Sequence, residues 1–418
     1  MNAMTAPSSN NSHIAQRRAL AFEMQSGGHH PSYIRNFAIR WSQQIPDASI
    51  DFVVTKVFAV RHKEVFELVN SIAPDRIQMH AMNDAEDHRV RVESKLREFE
   101  GWKIFCDYAR RLSADKAMLM YSDHFQLPML MGQRAPCSVS CIYFRPTFHY
   151  DSFRDYQPNW KQRLAAMRKK FLVNRILRIK EMEALFCLDP FAVRYIQKNC
   201  STSARILRLP DSFVQHEIPE QRLATLRNDL QIEDGRKVLL LLGILDSRKG
   251  PIQLLNAMDA LRDDVKQRLC LLVVGKIDES IESEVLQKIE SLKSQNLAQL
   301  VLRNEYITDT LVQDYYQISD VALTTYQQHM GMSSALIRAA LAEIPVLSSS
   351  YGLMGELVVH HKLGMVVDTT DQRDFTRGLA KVITADASEA YDCESALQFA
   401  ASHSPRALGE TLKDWIEN

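Results

Sequence analysis

Arg248 and Lys249, set between Gly243 and Gly250 and directly before Pro251, are the residues of this chain best placed to hold an anion. They follow the apolar run Val238–Leu242 and open a helical pattern, in which a proline suits the first turn because no amide hydrogen is needed there. A helix start with two cations fits a diphosphate. The plainer alternative is a pair of solvated loop charges. A second candidate is His329-Met330-Gly331-Met332-Ser333-Ser334, ahead of the apolar helix Ala335–Leu341. Ser333 or Ser334 can cap that helix, and backbone amides at the same place can also meet a phosphate. The third is Tyr351-Gly352-Leu353-Met354-Gly355-Glu356. Its two glycines permit close approach to a ligand, and Glu356 either accepts hydrogen bonds from sugar hydroxyls or simply favours a helix start. In the first half, Gln25-Ser26-Gly27-Gly28-His29-His30-Pro31 joins a strand to a helix and lacks the third glycine of a dinucleotide fingerprint. His124, Arg145 and His149 follow later strands, and each is open to a structural reading as well.

The elements that must position these residues alternate between strand and helix. In the second half the apolar runs Val238–Leu242, Leu269–Val274, Val321–Leu323 and Pro345–Leu347 each end in glycine or small polar residues and lead into helical patterns. In the first half Ala19–Phe22, Ile50–Val54, Lys116–Met120, Val139–Tyr143, Ala184–Cys187 and Arg205–Leu207 read as strands. Helical patterns over Tyr33–Gln43, Lys63–Ser71 and Arg91–Leu112 lie between them. Such alternation predicts an α/β protein with parallel, doubly wound sheets, whose ligand loops lie at the carboxyl ends of the strands. At 418 residues two domains are expected. The expected division is a disordered tail at 1–15, an N-terminal domain at 16–212, a C-terminal domain at 213–385 and a helical segment at 386–418 that packs back toward the first domain.

Composition narrows the function classes. With 46% apolar and 24% charged residues the chain reads as globular. Fifty-one basic side chains balance 51 acidic ones, which argues against a dedicated nucleic-acid binder. No apolar run is long enough to span a bilayer, and the Ser/Asn-rich start lacks the apolar core of a secretory signal. The seven scattered cysteines fit a reduced, cytoplasmic protein, and Cys137 with Cys141 is too small a set for a zinc site. No metal and no cofactor is expected.

Taken together the motifs resemble the GT-B glycosyltransferases, and in particular the retaining family four. The likeness covers most of the chain and is strongest from Val238 to Asp368. It rests on Gly243 with Arg248-Lys249-Gly250, on Val274-Gly275, on Tyr315-Tyr316-Gln317-Ile318-Ser319-Asp320-Val321, and on the looser matches Ile337–Leu347, Tyr351–Glu356 and Gly364–Val367. The family's two glutamates, eight positions apart, correspond to Met330 and Arg338 here; Ile244 replaces an arginine, and Glu305 a glycine. The resemblance implies two Rossmann-like domains facing a cleft. It implies a nucleotide diphosphate sugar on the second domain, near Gly243, Gly275, Ile307, Met330, Gly331, Ser333, Ser334, Arg338, Gly355 and Glu356. Arg248 and Lys249 would stabilise the leaving phosphate. An acceptor (a sugar, a lipid-linked molecule or a small metabolite) would lie near Gly27, Gly28, His29, Arg145 and the catalytic candidate His124. The alternative is a catalytically degenerate GT-B protein that binds a nucleotide or a partner.

One segment stands apart. Between Arg154 and Lys180 there are nine Lys/Arg and a single acid, Asp155, with Leu164, Met167, Phe171, Leu172, Ile176 and Leu177 interleaved. It reads either as a helix with one buried and one solvated basic face, or as a peripheral contact with the inner face of an anionic membrane.

Overall fold

The computed structural model of the protein describes residues 17–28, 30–92, 96–384 and 390–418. The tail expected at 1–15, His29, and the start of the segment at 386–418 lie outside them.

Two wholly parallel sheets carry the chain. The first contains β1 (Arg17–Glu23), β2 (Ala48–Val54), β3 (Ile77–Ala81), β4 (Lys116–Leu119), β5 (Ser138–Tyr143), β6 (Met182–Cys187) and β7 (Arg205–Arg208), in the order β3-β2-β1-β4-β5-β6-β7. The second contains β8 (Lys237–Leu242), β9 (Leu269–Val274), β10 (Gln299–Arg303), β11 (Val321–Thr324), β12 (Val346–Ser349) and β13 (Gly364–Val367), in the order β10-β9-β8-β11-β12-β13. Both orders reverse direction beside their first strand, between β1 and β4 and between β8 and β11. At such a switch point adjacent connections diverge to opposite faces and leave a crevice at the carboxyl ends.

Near-continuous apolar runs make the central strands because helices cover both faces of each sheet. The burial of β9, complete along Leu269–Val274, shows this directly. Two strands are not announced by such runs. β3 and β10 each lie at one edge of their sheet, and their sequences IQMHA and QLVLR carry polar residues among the apolar ones. The pattern spanning Arg91–Leu112 is divided: one helix, Asp84–Arg91, ends where the pattern begins, and the next is Arg97–Arg111. Asn83 and Glu86 form a reciprocal capping box that starts the earlier helix upstream.

Each sheet has an apolar core on each face. The two halves also share packing. Tyr150, Phe153 and Tyr156, which follow β5, are buried in the core of the second half. At the other end of the chain, the helix Cys393–Ala401 packs on the helix Ser334–Leu341 of the second half. The final helix, Pro405–Glu417, packs on His30–Gln44 of the first, where Trp41 and Trp415 meet edge to face.

Candidate active site

On the second half the site begins at the end of β8. Gly243 has φ +120°, and a Cβ there would lie 2.6 Å from the Lys249 ammonium, so the glycine makes room for that charge. The Asp246 carboxylate accepts from the Lys249 amide at 3.1 Å and fixes the turn Ser247–Lys249. Gly250, at φ +69°, then leads Pro251 into the helix Pro251–Asp259. Lys249 is only 9% exposed. Its Nζ donates to the Leu242 carbonyl at 2.5 Å and lies 5.2 Å from the Tyr326 ring centre, with no carboxylate in ion-pair range among the described residues. The Arg248 guanidinium approaches the same ring at 5.2 Å and Asp246 at 3.4 Å.

The loop after β11 is laced to this one, since the Gln327 amide donates to the Arg248 carbonyl at 2.7 Å. Ser333 caps the helix Ser334–Leu341 by accepting from the Ala335 amide, and its hydroxyl pairs with the Tyr326 hydroxyl at 2.9 Å. Burial, with a contribution from Arg248, lowers the His329 pKa to about 4, so this imidazole is neutral at physiological pH. Gly275 has φ +127°, and a Cβ there would stand 2.0 Å from the Gly243 carbonyl oxygen; its glycine lets the ends of β8 and β9 converge.

On the first half, β1 ends in Glu23, a buried carboxylate. One oxygen accepts from the Gln25 amide at 2.6 Å, and the other lies 2.5 Å from Nδ1 of His30. The Gln25 side chain in turn pairs with Nε2 of His124, which stands in the turn Ser122–His124 after β4. Burial, followed by Arg97 and His30, lowers the His124 pKa to about 4. Gly28 has φ +63°, and no atom would crowd a Cβ at either Gly27 or Gly28.

Two cavities occupy the cleft. One, of about 500 Å³, brings Gly27, Gly28, His30, His124 and Arg145 of the first half against Arg248, His329, Gly331 and Ser334 of the second. The other, of about 710 Å³, is lined by Gly243, Lys249, Ser333, Ser334 and Arg338, and by Arg35 and Arg40 from the helix after β1. Six cations line the two cavities together (Arg35, Arg40, Arg145, Arg248, Lys249 and Arg338) against one carboxylate, Asp211. That imbalance suits an anionic ligand.

Several residues singled out in the sequence line neither cavity. Ile307 packs against the second-half core, and Gly355 brings its helix against Ser350, whose carbonyl a Cβ would meet at 2.1 Å. Glu356 is half-buried on the helix Gly352–His360, and Gly275 acts through the backbone. Met330 is a packing residue: its carbonyl accepts from the Tyr150 hydroxyl at 2.6 Å, and its sulfur lies 3.7 Å from that of Tyr156. Arg338, by contrast, lines the larger cavity while its guanidinium stacks over Phe213 at 4.8 Å. His149 is buried 3.1 Å from Asp189 and belongs to the interior. Sequence reasoning missed Glu23, Arg35 and Arg40, and read His30 only as part of the Gln25–Pro31 loop. The available signal was an acid closing an otherwise apolar strand end, seven positions before a histidine at a helix start.

Comparison with known proteins bears on the fold. Residues 224–396 match the model of the family described as Glycosyl transferases group 1. Among solved structures the chain is similar to a glycosyltransferase from Rickettsia africae, with TM-score 0.67, 12% identity and coverage of 96% of this chain and 98% of that one. It is similar to HepE of Anabaena in complex with UDP, with TM-score 0.65, 12% identity and coverage of 96% and 99%. It is also similar to sucrose-phosphate synthase of Thermosynechococcus elongatus, with TM-score 0.64, 14% identity and coverage of 96% and 98%. No curated protein sequence matches the chain. The two sheets and their interleaved helices thus form a GT-B fold, whose second half matches the Glycosyl transferases group 1 model over residues 224–396.

Proposed function

We propose that the protein transfers a glycosyl group from a nucleotide diphosphate sugar to a hydroxyl of a sugar, lipid-linked or small-molecule acceptor, with retention at the anomeric carbon. The observation that carries the donor class is Lys249, a nearly buried cation without a carboxylate partner among the described residues, at the foot of a cleft whose lining is strongly cationic. A diphosphate would supply the missing anion. Lys249, Arg248 and the first-turn amides of the helix Ser334–Leu341 would hold it, and would stabilise the charge that grows on the leaving phosphate as the bond to the anomeric carbon breaks. The acceptor would lie across the smaller cavity. There Glu23 orients His30, and the neutral His124 can exchange hydrogen bonds with sugar hydroxyls. The acceptor oxygen bonds to the anomeric carbon, and its proton leaves to the His30 imidazole or to a departing phosphate oxygen. HepE was solved with UDP and with UDP and glucose, which makes UDP the first nucleotide to try. Retention rests on the motif likeness alone and is read from the anomeric coupling constant of the product. Seven unpaired cysteines fit a cytoplasmic setting.

A second reading, nucleotide binding without turnover, is favoured by Met330 and Arg338, whose side chains are engaged in packing. Nucleotide release from UDP-, GDP- and ADP-sugars, with and without simple sugar acceptors, separates the two. Release supports the transferase. Binding of a nucleotide with no release from any donor supports the binding module, and no binding at all refutes both.

A further inference from the structure

The basic segment forms the helix Trp160–Ile176, started by a reciprocal capping box between Asn159 and Gln162. Val173 and Ile176 seal its inner face into the first-half core. The opposite face is not the solvated basic surface that its composition suggests. Trp160 is 70% exposed, Leu164 60%, Met167 69% and Phe171 64%. Spacings of four, three and four residues put these side chains in a single stripe. At 100° per residue, Arg163 and Lys170 flank the stripe on one side, and Lys161, Arg168 and Arg175 on the other. None of the five reaches a carboxylate within ion-pair distance among the described residues. The adjoining helix Gln126–Leu130 adds exposed Leu127, with Met131 just beyond it.

We propose that this face rests in the surface of an anionic phospholipid membrane, with the apolar stripe among the acyl chains and the flanking cations on the headgroup phosphates. Large apolar side chains in a stripe, with cations along both margins, complement a surface that is apolar beneath and negative above. The helix lies in the plane of such a surface, since no helix of the described residues is long and apolar enough to cross it. It is also rigidly joined to the cleft. Lys169 donates to Thr147 and to the carbonyl of the cavity residue Arg145, and Tyr156, just upstream, packs on Tyr351. Docking would therefore bring the cleft close to the lipid. The proposal does not depend on glycosyl transfer.

The test is flotation of the full chain with vesicles of phosphatidylcholine mixed with phosphatidylglycerol, against vesicles of phosphatidylcholine alone. Trp160 reports directly, because Trp41, Trp102 and Trp415 are all buried. The protein is expected to float with the anionic vesicles, shift its tryptophan emission to the blue, and bind neutral vesicles at least about tenfold more weakly. The triple variant Leu164→Ser, Met167→Ser, Phe171→Ser and the triple variant Arg163→Gln, Arg168→Gln, Lys170→Gln should each lose about tenfold or more of the anionic binding. All six positions are exposed, so folding is checked simply by an unchanged melting temperature. A wild-type protein that stays in solution with both vesicles overturns the proposal, as does binding that neither triple variant weakens. Concentration-dependent dimerisation without lipid, abolished by the serine variant, would assign the stripe to a second copy and overturn it too.

Discussion

Replacing Lys249 by methionine should separate two energies that one ammonium contributes with opposite sign. In the unliganded protein the side chain is 9% exposed, its ammonium has the Leu242 carbonyl and the face of Tyr326 for company, and no carboxylate among the described residues offsets its lost hydration. Methionine keeps the length of the stem beside Gly243 and removes the charge. Unliganded stability should therefore hold within about 1 kcal/mol or rise. With a nucleotide bound the sign reverses, because a charge-assisted hydrogen bond to phosphate contributes about 1.5–3 kcal/mol. The dissociation constant should then rise roughly 10- to 150-fold. At a nucleotide concentration about 100 times the wild-type dissociation constant, mass action stabilises the wild type by about 2.7 kcal/mol. The variant would keep about 1.4 kcal/mol if binding weakens tenfold, and about 0.4 kcal/mol if it weakens a hundredfold. Denaturant unfolding of both proteins, with and without UDP, GDP and ADP, reads both quantities from the same curves. A variant that keeps the wild-type nucleotide shift refutes the phosphate role. One that loses more than about 2 kcal/mol without nucleotide shows instead that the ammonium is a structural anchor for the end of β8.

Gly275→Ala would place a Cβ 2.0 Å from the Gly243 carbonyl oxygen at φ +127°, so the denaturant midpoint should report a loss of about 2–4 kcal/mol; a loss below about 0.5 kcal/mol would contradict the close approach. Glu23→Gln keeps the shape but removes the charge that orients His30, and should cut transfer by about 10²–10⁴-fold while nucleotide affinity is unchanged. A parallel loss of nucleotide affinity, or no change in turnover, would place the pair outside the acceptor site. Stability should also fall on acidification. Burial, then Arg208, lowers the pKa of His403 from 6.5 to about 3, and burial lowers those of His124, His329 and His361 to about 4. These imidazoles stay neutral in the folded protein while their unfolded counterparts take up protons, so their contribution is complete above about pH 6.5 and lost as the pH falls toward 4. His403 alone should steepen the decline by up to about 1.4 kcal/mol per pH unit, the more solvated three adding less, and Asp123, raised by burial, opposing them. A melting temperature that is flat or rising from about pH 7 to pH 5 would contradict this.

What the sequence disclosed follows from where each residue sits. The central strands of both sheets were legible because burial on both faces forces an unbroken apolar run, as in Leu269–Val274. The edge strands β3 and β10 were not, since an edge exposes one margin and here admits Gln78, His80, Gln299 and Arg303. The Lys249 loop was legible because its glycines, cations and proline are contiguous. The Glu23–His30 pair was hidden, for its members meet only when the turn after β1 folds the helix start back onto the strand end. Met330 and Arg338 stand where the resembling family has glutamates, and their contacts were beyond the reach of sequence: Met330 is held by Tyr150, 180 residues earlier, and Arg338 stacks on Phe213 while lining the larger cavity.

The two switch points are built alike, and this correspondence constrains the ligand further. In each half the crevice lies between the loop after the first strand and the loop after the fourth, and each of those fourth-strand loops carries an imidazole kept neutral by burial, His124 in one and His329 in the other. The charge in the cleft is therefore not adjustable near neutral pH through these two groups. Among the described residues that line its two cavities, it resides in six arginine and lysine side chains against one carboxylate, Asp211. Arg248 is partly compensated by Asp246, and Lys249 has no carboxylate within ion-pair distance among the described residues. Like charges gathered in a crevice raise the energy of the empty site, and a ligand of matching negative charge recovers that energy on binding. A neutral sugar would leave the repulsion in place and add the desolvation of Lys249. A sugar carried on a diphosphate removes both, which is why the anionic part of the ligand, rather than its sugar, should dominate affinity at this site.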